Sequence, residues 1–207
     1  MLCIAHRGYS AKFCDNTIES FLGAKQAGFD MIELDIQLCA SGEIIVYHDT
    51  YIDNTFISSL SFDSLRSLDS TIPTLEDVFQ SVHNIDLYLD VKGNDLSIVS
   101  AIKLLSIKYI NISFYIASYN QKILRLCRQL LPNVSLGLIT ENTLLTPLIF
   151  DVEFYVFHWT ALDHSMIDSI HSLSRKVFTY TYKEPIDLTY MKLFNIDGIV
   201  SNHLIRC

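Results

Sequence analysis

Residues 31–49 read MIELDIQLCASGEIIVYHD, and the way this stretch folds back on itself decides the architecture of the whole chain. Met31 to Ile36 and Ile44 to Tyr47 are both continuous apolar runs of the kind that form buried strands. Asp35 and Ile44 lie too close for a parallel crossover, which takes about a dozen residues or more and usually a helix. The turn Ala40-Ser41-Gly42-Glu43 therefore returns Ile44 to Tyr47 as a β-hairpin inside the loop after the second strand. It brings His48 back to the end of the strand that carries Glu33 and Asp35.

Outward from this point the chain alternates strand and helix patterns. Further apolar runs are Leu2 to Ala5, Ile85 to Val91, Ile112 to Ala117, Val134 to Ile139, Phe154 to Phe157, Val177 to Tyr182 and Gly198 to Val200. With the hairpin set aside, eight strands remain. Thr17 to Ala27 has Ile18, Phe21 and Leu22 on one helical face, with Asn16 as the expected cap and Glu19 three residues on. Asn120 is the expected cap of a helix through Ile123, Leu124, Cys127, Leu130 and Leu131, which Pro132 stops. Asp95 and Asp163 open similar patterns, and Thr74 with Asp77 marks another helix start. Strand–helix alternation predicts a parallel sheet with helices outside, here an α/β (β/α)8 barrel formed as one domain over residues 1–207.

Composition agrees. A hydrophobic fraction of 50% against 18% charged residues suits strands buried on both faces and excludes disorder. A net charge of -8 argues against a nucleic-acid backbone as partner, because that partner requires a basic surface. Cys3, Cys14, Cys39, Cys127 and Cys207 have no CxxC spacing, and an odd count fits reduced thiols in a cytoplasmic setting. The strand that begins at the second residue leaves no room for a signal peptide, and no apolar run approaches the ~18 residues of a membrane span.

A scattered set of polar residues sits at the downstream ends of the strand-like runs: His6-Arg7, Glu33 and Asp35, His48-Asp49, Asp90 with Lys92; Asp15 lies at the loop-to-helix junction after the first strand. Parallel strands end on one rim, where residues far apart in sequence converge. Two histidines, up to four carboxylates and two cations on one rim describe a metal-assisted site for phosphate chemistry.

The blocks IAHRG, DNTIESF, IELDIQL, YHDTYID, IPTLEDVF, LYLDVKG, ASYN and IDGIVSN follow one another from residue 4 to about residue 202. In that order they resemble the signature blocks of the glycerophosphodiester phosphodiesterase family. The resemblance implies a TIM barrel, a divalent cation, and hydrolysis of glycerophosphodiesters to glycerol 3-phosphate and an alcohol. It also implies that a glycerol hydroxyl attacks first and that water then opens a cyclic phosphate.

Residue types fit those roles. Glu33 and Asp35, two apart on one strand, share a face and can hold one cation between them; Asp15 and Asp90 would complete an oxygen-only shell suited to Mg²⁺ or Ca²⁺. Arg7 offers a planar fork to phosphate, and Lys92 a point charge. His6 and His48 form the expected acid and base pair, because an unperturbed imidazole titrates near neutrality, with neither proton assigned to either ring. His158 and Trp159, with Tyr180 and Tyr182, are candidates for the wall of a small-molecule pocket. Individually, Asp15 could be a helix cap, Glu33 and Asp35 a solvated strand face, Lys92 a surface lysine, and the aromatics barrel filler.

Several positions depart from the family pattern. Asp15-Asn16-Thr17 stands for the usual Glu-Asn-Thr, and Asp90 for a glutamate, so two expected ligands are one methylene short. Tyr180-Thr181-Tyr182-Lys183 and Ser201-Asn202-His203-Leu204 replace the usual segments on the substrate side. The stretch between His48 and Pro73 is short, which predicts a low wall and an open cleft. The chain ends six residues after Ser201, so no full helix is expected over the seam between the last and first barrel strands, and an exposed seam there would favour a homo-oligomer. Two other functions fit the residues: a phosphodiesterase acting on a lysophospholipid or sphingolipid head group, and a catalytically decayed binding module.

Overall fold

The structure is a computed structural model that describes residues 1–142 and 151–205; Cys207 lies outside them. Eight parallel strands close into a barrel: β1 (Leu2–Ala5), β2 (Met31–Leu38), β6 (Asp86–Val91), β7 (Phe114–Ser118), β8 (Leu136–Thr140), β9 (Phe154–His158), β10 (Lys176–Tyr182) and β11 (Gly198–Ser201). Pairing of β1 with both β11 and β2 completes the circle. The intervening β3 (Ile44–Val46) runs antiparallel to β2, with Ile36 opposite Val46 and Leu38 opposite Ile44, as the short connection requires. A two-stranded ribbon, β4 (Tyr51–Ile52) and β5 (Thr55–Phe56), follows it.

The helices are α1 (Ile18–Ala27), α2 (Phe62–Leu68), α3 (Leu75–Ser81), α4 (Ser97–Lys108), α5 (Gln121–Leu130), α6 (His164–Ser172) and α7 (Pro185–Met191). Thr17, not Asn16, caps α1: its hydroxyl accepts from Ser20 N at 3.2 Å, while Asn16 adopts a left-handed φ of 55° and is buried. Asn120 and Asp163 cap α5 and α6, and Thr74 forms a reciprocal capping box with Asp77. Leu96 is the N-cap of α4, and Asp95 supports its first turn by accepting from Ser97 N.

Strand alternation divides the core in two. Ile4, Met31, Tyr88, Ala117, Ile139, Phe154, Val156, Phe178 and Val200, drawn from all eight barrel strands, fill the interior. Neighbours of opposite parity, such as Ile32, Leu34, Leu87 and Leu89, pack outward against the helices. Gly137 makes room for this filling, since a Cβ there would lie 2.1 Å from the Phe154 ring; Gly137→Ala overpacks the interior at a cost of about 1–3 kcal/mol.

The seam expected to be bare is covered. Cys3, Ile4, Ile199 and Val200 are all buried, and the segment after β11 turns back so that Ile205 N reaches Cys3 Sγ at 3.3 Å. The exposed apolar face that motivated an oligomer at this seam is therefore absent among the described residues. The short stretch after His48 packs its own cluster of Cys39, Ile45, Ile57, Leu65 and Ile72. No described helix is long and apolar enough to cross a membrane, and Cys14, Cys39 and Cys127 are free thiols.

Candidate active site

The strand parity that sends Met31 and Tyr88 into the barrel also sends Glu33, Asp35 and Asp90 to its mouth. Asp35 and Asp90 are register partners on adjacent strands. All three carboxylates are buried, and one oxygen from each lies within 4.8 Å of the others. The turn after β1 brings Arg7 in, and Lys92 follows β6. Arg7 and Gly8 take φ values of 55° and 81°, and a Cβ on Gly8 would meet Ser20 at 2.2 Å, so only glycine lets the chain pass this close to α1. Arg7 N then donates to Glu33 Oε2 at 2.8 Å, and its guanidinium lies 3.1 Å from Asp35 and 3.0 Å from Asp15. Lys92 bridges Asp35, at 2.9 Å, and Asp90.

Asp15, expected to join the carboxylate cluster, is half-exposed and tied to Arg7 instead. Its neighbour occupies the interior: Asn16 Nδ2 donates to Asp35 Oδ2 at 2.8 Å. Sequence reading treated Asn16 as a helix cap and missed this contact, which depends on a left-handed backbone bringing residues 16 and 35 together.

Three buried carboxylates against two cations leave negative charge uncompensated. Burial, then Asp35 and Asp90, drive the Glu33 carboxyl well above its usual range. Asp90 is pushed up to about 6, chiefly by burial, despite the Lys92 contact. Burial also acts on Asp35, but Lys92 and Arg7 outweigh it and hold that carboxyl below its usual value. Lys92 is raised: burial opposes its charge, and Asp90 and Asp35 overcome that. Asp90 Oδ1 is buried with no hydrogen-bond partner among the described residues. An orphaned oxygen beside two other carboxylates, with surplus negative charge and oxygen donors only, fits a hard divalent cation.

The two histidines are held differently. His6 Nδ1 lies 2.7 Å from Asn202 Oδ1, and burial followed by Arg7 lowers its pKa to about 4. His48, more exposed, lies 2.7 Å from the Asp49 carboxylate. Buried Gln37 donates to both Tyr47 O and Asp49 O at 2.8 Å, fixing the segment that carries His48. The sequence places Asp49 on the rim beside His48 and Asn202 in a segment on the substrate side, without a role for either; Gln37 was missed, although a polar residue at the third alternate position of a buried strand is a readable signal.

A cavity of about 510 Å³ joins these groups: His6, Arg7, Glu33, Asp35, His48, Asp90 and Lys92 line one side, and Tyr119, His158, Trp159 and Tyr180 the other. From the stretch between His48 and Pro73, only His48 itself reaches it, as a low wall requires. Tyr180 and Tyr119 share a hydrogen bond of 2.6 Å, and burial raises both phenols, Tyr119 to about 12. Tyr182, expected in the pocket, does not line it. The register between β10 and β11 shifts between Thr179 and Tyr182, so Thr181 faces the cavity and Tyr182 packs outward beside His203.

The model of the glycerophosphoryl diester phosphodiesterase family matches residues 6–206. A glycerophosphodiester phosphodiesterase of Caldanaerobacter subterraneus subsp. tengcongensis is 27% identical over 97% of this chain and 93% of its own length. Among solved structures, a phosphodiesterase of Oleispira antarctica in complex with the product sn-glycerol-3-phosphate superposes with a TM-score of 0.88 at 21% identity, covering 98% of this chain and 93% of that one. The Thermotoga maritima glycerophosphodiester phosphodiesterase gives 0.82 at 22% identity, covering 98% and 94%.

Proposed function

The chain belongs to the glycerophosphoryl diester phosphodiesterase family, and we propose that it hydrolyses glycerophosphodiesters to glycerol 3-phosphate and an alcohol in the cavity at the barrel mouth. One observation carries the proposal: a buried triangle of Glu33, Asp35 and Asp90, clamped by Arg7 and Lys92, opens into the cavity that His6 and His48 also line. Glu33, Asp35 and Asp90 would hold one Mg²⁺ or Ca²⁺, and that ion would supply Lewis-acid charge to a phosphate oxygen. Asp15 serves this site through Arg7, whose guanidinium it orients.

A phosphodiester anion repels nucleophiles, so the protein must neutralise charge, align the reacting groups and move protons. Arg7 and Lys92 can bind the phosphate without surrendering their carboxylates. Arg7 has five N–H donors and Lys92 three, and the ion pairs use only some of them. His6, kept neutral by burial and by Arg7, is suited to accept the proton of an attacking glycerol hydroxyl. His48 beside the Asp49 carboxylate is suited to carry a proton to the departing alcohol oxygen. Tyr119, Trp159, His158 and Tyr180 form the wall that the alcohol meets.

The test is product analysis on glycerophosphocholine, glycerophosphoethanolamine and lysophosphatidylcholine, with Mg²⁺ or Ca²⁺ and a His6→Ala control. Metal-dependent release of glycerol 3-phosphate from the first two, lost in His6→Ala, is the expected result. Release from the lysolipid alone would move the substrate to lipids, and no release from any of the three would leave a binding module.

A further inference from the structure

We infer that Asn202 is a positioning residue for His6, fixing the imidazole with its proton on Nδ1 and leaving Nε2 as the free lone pair for the reaction. The inference rests on the proposed role of His6 and adds a residue and a tautomer to it. Asn202 follows the last barrel strand and is held from three sides. Its N–H donates to Tyr182 O at 3.0 Å, its carbonyl accepts from Ala11 N at 3.3 Å, and its neighbour Ser201 accepts from His6 N at 2.9 Å. The side chain therefore has a fixed origin. Its Oδ1 lies 2.7 Å from His6 Nδ1 and accepts the Ser10 hydroxyl at 3.1 Å.

The amide presents this one oxygen to both groups. With the Ser10 hydroxyl donating to Oδ1, the same oxygen faces His6, and an oxygen can only accept. Nδ1 must then be the protonated ring nitrogen. A neutral imidazole carries one proton, so Nε2 is left unprotonated on a ring that lines the cavity. In water the neutral ring prefers the opposite tautomer, with the proton on Nε2, which could not accept a proton there. Asn202 thus selects the reactive form.

The contacts of Asn202 and Asp35 favour a protonated His6 ring, while burial, Arg7 and Lys183 oppose it; the opposing causes prevail, so the ring that Asn202 orients is neutral.

The test combines ¹⁵N NMR of the histidine rings in the full chain, with and without Mg²⁺, and steady-state kinetics on glycerophosphocholine. Wild type is expected to show His6 with Nδ1 protonated and Nε2 unprotonated. Asn202→Leu should move the proton to Nε2 and lower kcat by about tenfold or more while KM stays within about twofold. Asn202→Asp, which keeps an acceptor, should retain Nδ1–H and recover most of the lost kcat at alkaline pH. His6 protonated on Nε2 in wild type, or an unchanged kcat in a folded Asn202→Leu, overturns the inference. A wild-type protein with the Nδ1–H tautomer but no diesterase activity overturns the proposed function instead.

Discussion

The rim of the barrel has two arcs built on opposite principles. From β1 through β2 to β6, every functional group is bonded to another: Arg7 to Asp15, Asp35 and Glu33, Lys92 to Asp35 and Asp90, Asn16 to Asp35. From β7 to β10, the wall is made of rings, with Tyr119 bonded to Tyr180 and His158 edge-on to Tyr180 at 5.4 Å. Asp35 is 2% exposed and Tyr119 is 45%. A buried charged group must have its partners in place, because leaving one unpaired costs several kcal/mol. Exposed rings carry no such requirement. The charged arc is accordingly constrained by its own pairing, and the aromatic arc is freer to vary; in the proposed function the first would meet the phosphate and the second the alcohol.

Substitutions can break this contrast. The largest effect is expected from His6→Ala, which should lower kcat by about 10²–10⁴-fold without loss of the fold, measured as glycerol 3-phosphate release and a thermal melt. Glu33→Gln should abolish most metal-dependent turnover and yet raise the Tm of the metal-free protein by about 2–4 °C, because it removes a buried carboxyl that folding forces to hold a proton. A lower Tm would mean that Glu33 stabilises the fold, and the arc would not be strained by its own charge.

Protons should compete with the metal. Asp90 in the folded chain holds its proton up to about 6 rather than 3.8. Metal affinity, read by calorimetry, should therefore fall about tenfold or more for each pH unit below 6, since Glu33 also holds a proton there. Folding of the metal-free protein responds in the opposite sense. The native Asp90 binds more protons than the unfolded chain between pH 3.8 and about 6, so its contribution to stability declines as pH rises through that window. Added metal should reverse that decline. The smallest effect belongs to the aromatic arc: Tyr180→Phe, which removes the hydrogen bond to Tyr119, should change the ratio of kcat/KM between two alcohols by about tenfold or less. Loss of phosphate chemistry in this variant would erase the distinction between the arcs.

The strands, the hairpin and most of the caps could be read from the chain because they obey local rules. Alternation in Met31–Leu38, the four-residue turn before Ile44 and the Thr74 capping box each involve neighbours a few residues apart. Glu33 and Asp35 were legible for the same reason, as polar residues of one parity inside an apolar strand. Errors arose where a local rule met a tertiary one. Asn16 looked like a cap and is a buried partner of Asp35; Tyr182, a candidate for the pocket wall, is turned out by a register shift in β10; Asp15 looked like a ligand and is paired with Arg7.

Pattern and turn chemistry alone thus specify eight barrel strands, one hairpin and the set of charged groups on the rim, since period and loop length leave few alternatives. Which atom meets which is another matter. His6 and Asn202 lie 196 residues apart, and Arg7 and Glu33 lie 26 apart; neither pair has any local relation that would bring it together. Only closure of the barrel, with β11 laid against β1, brings the Asn202 oxygen to the His6 ring and so decides which nitrogen carries the proton.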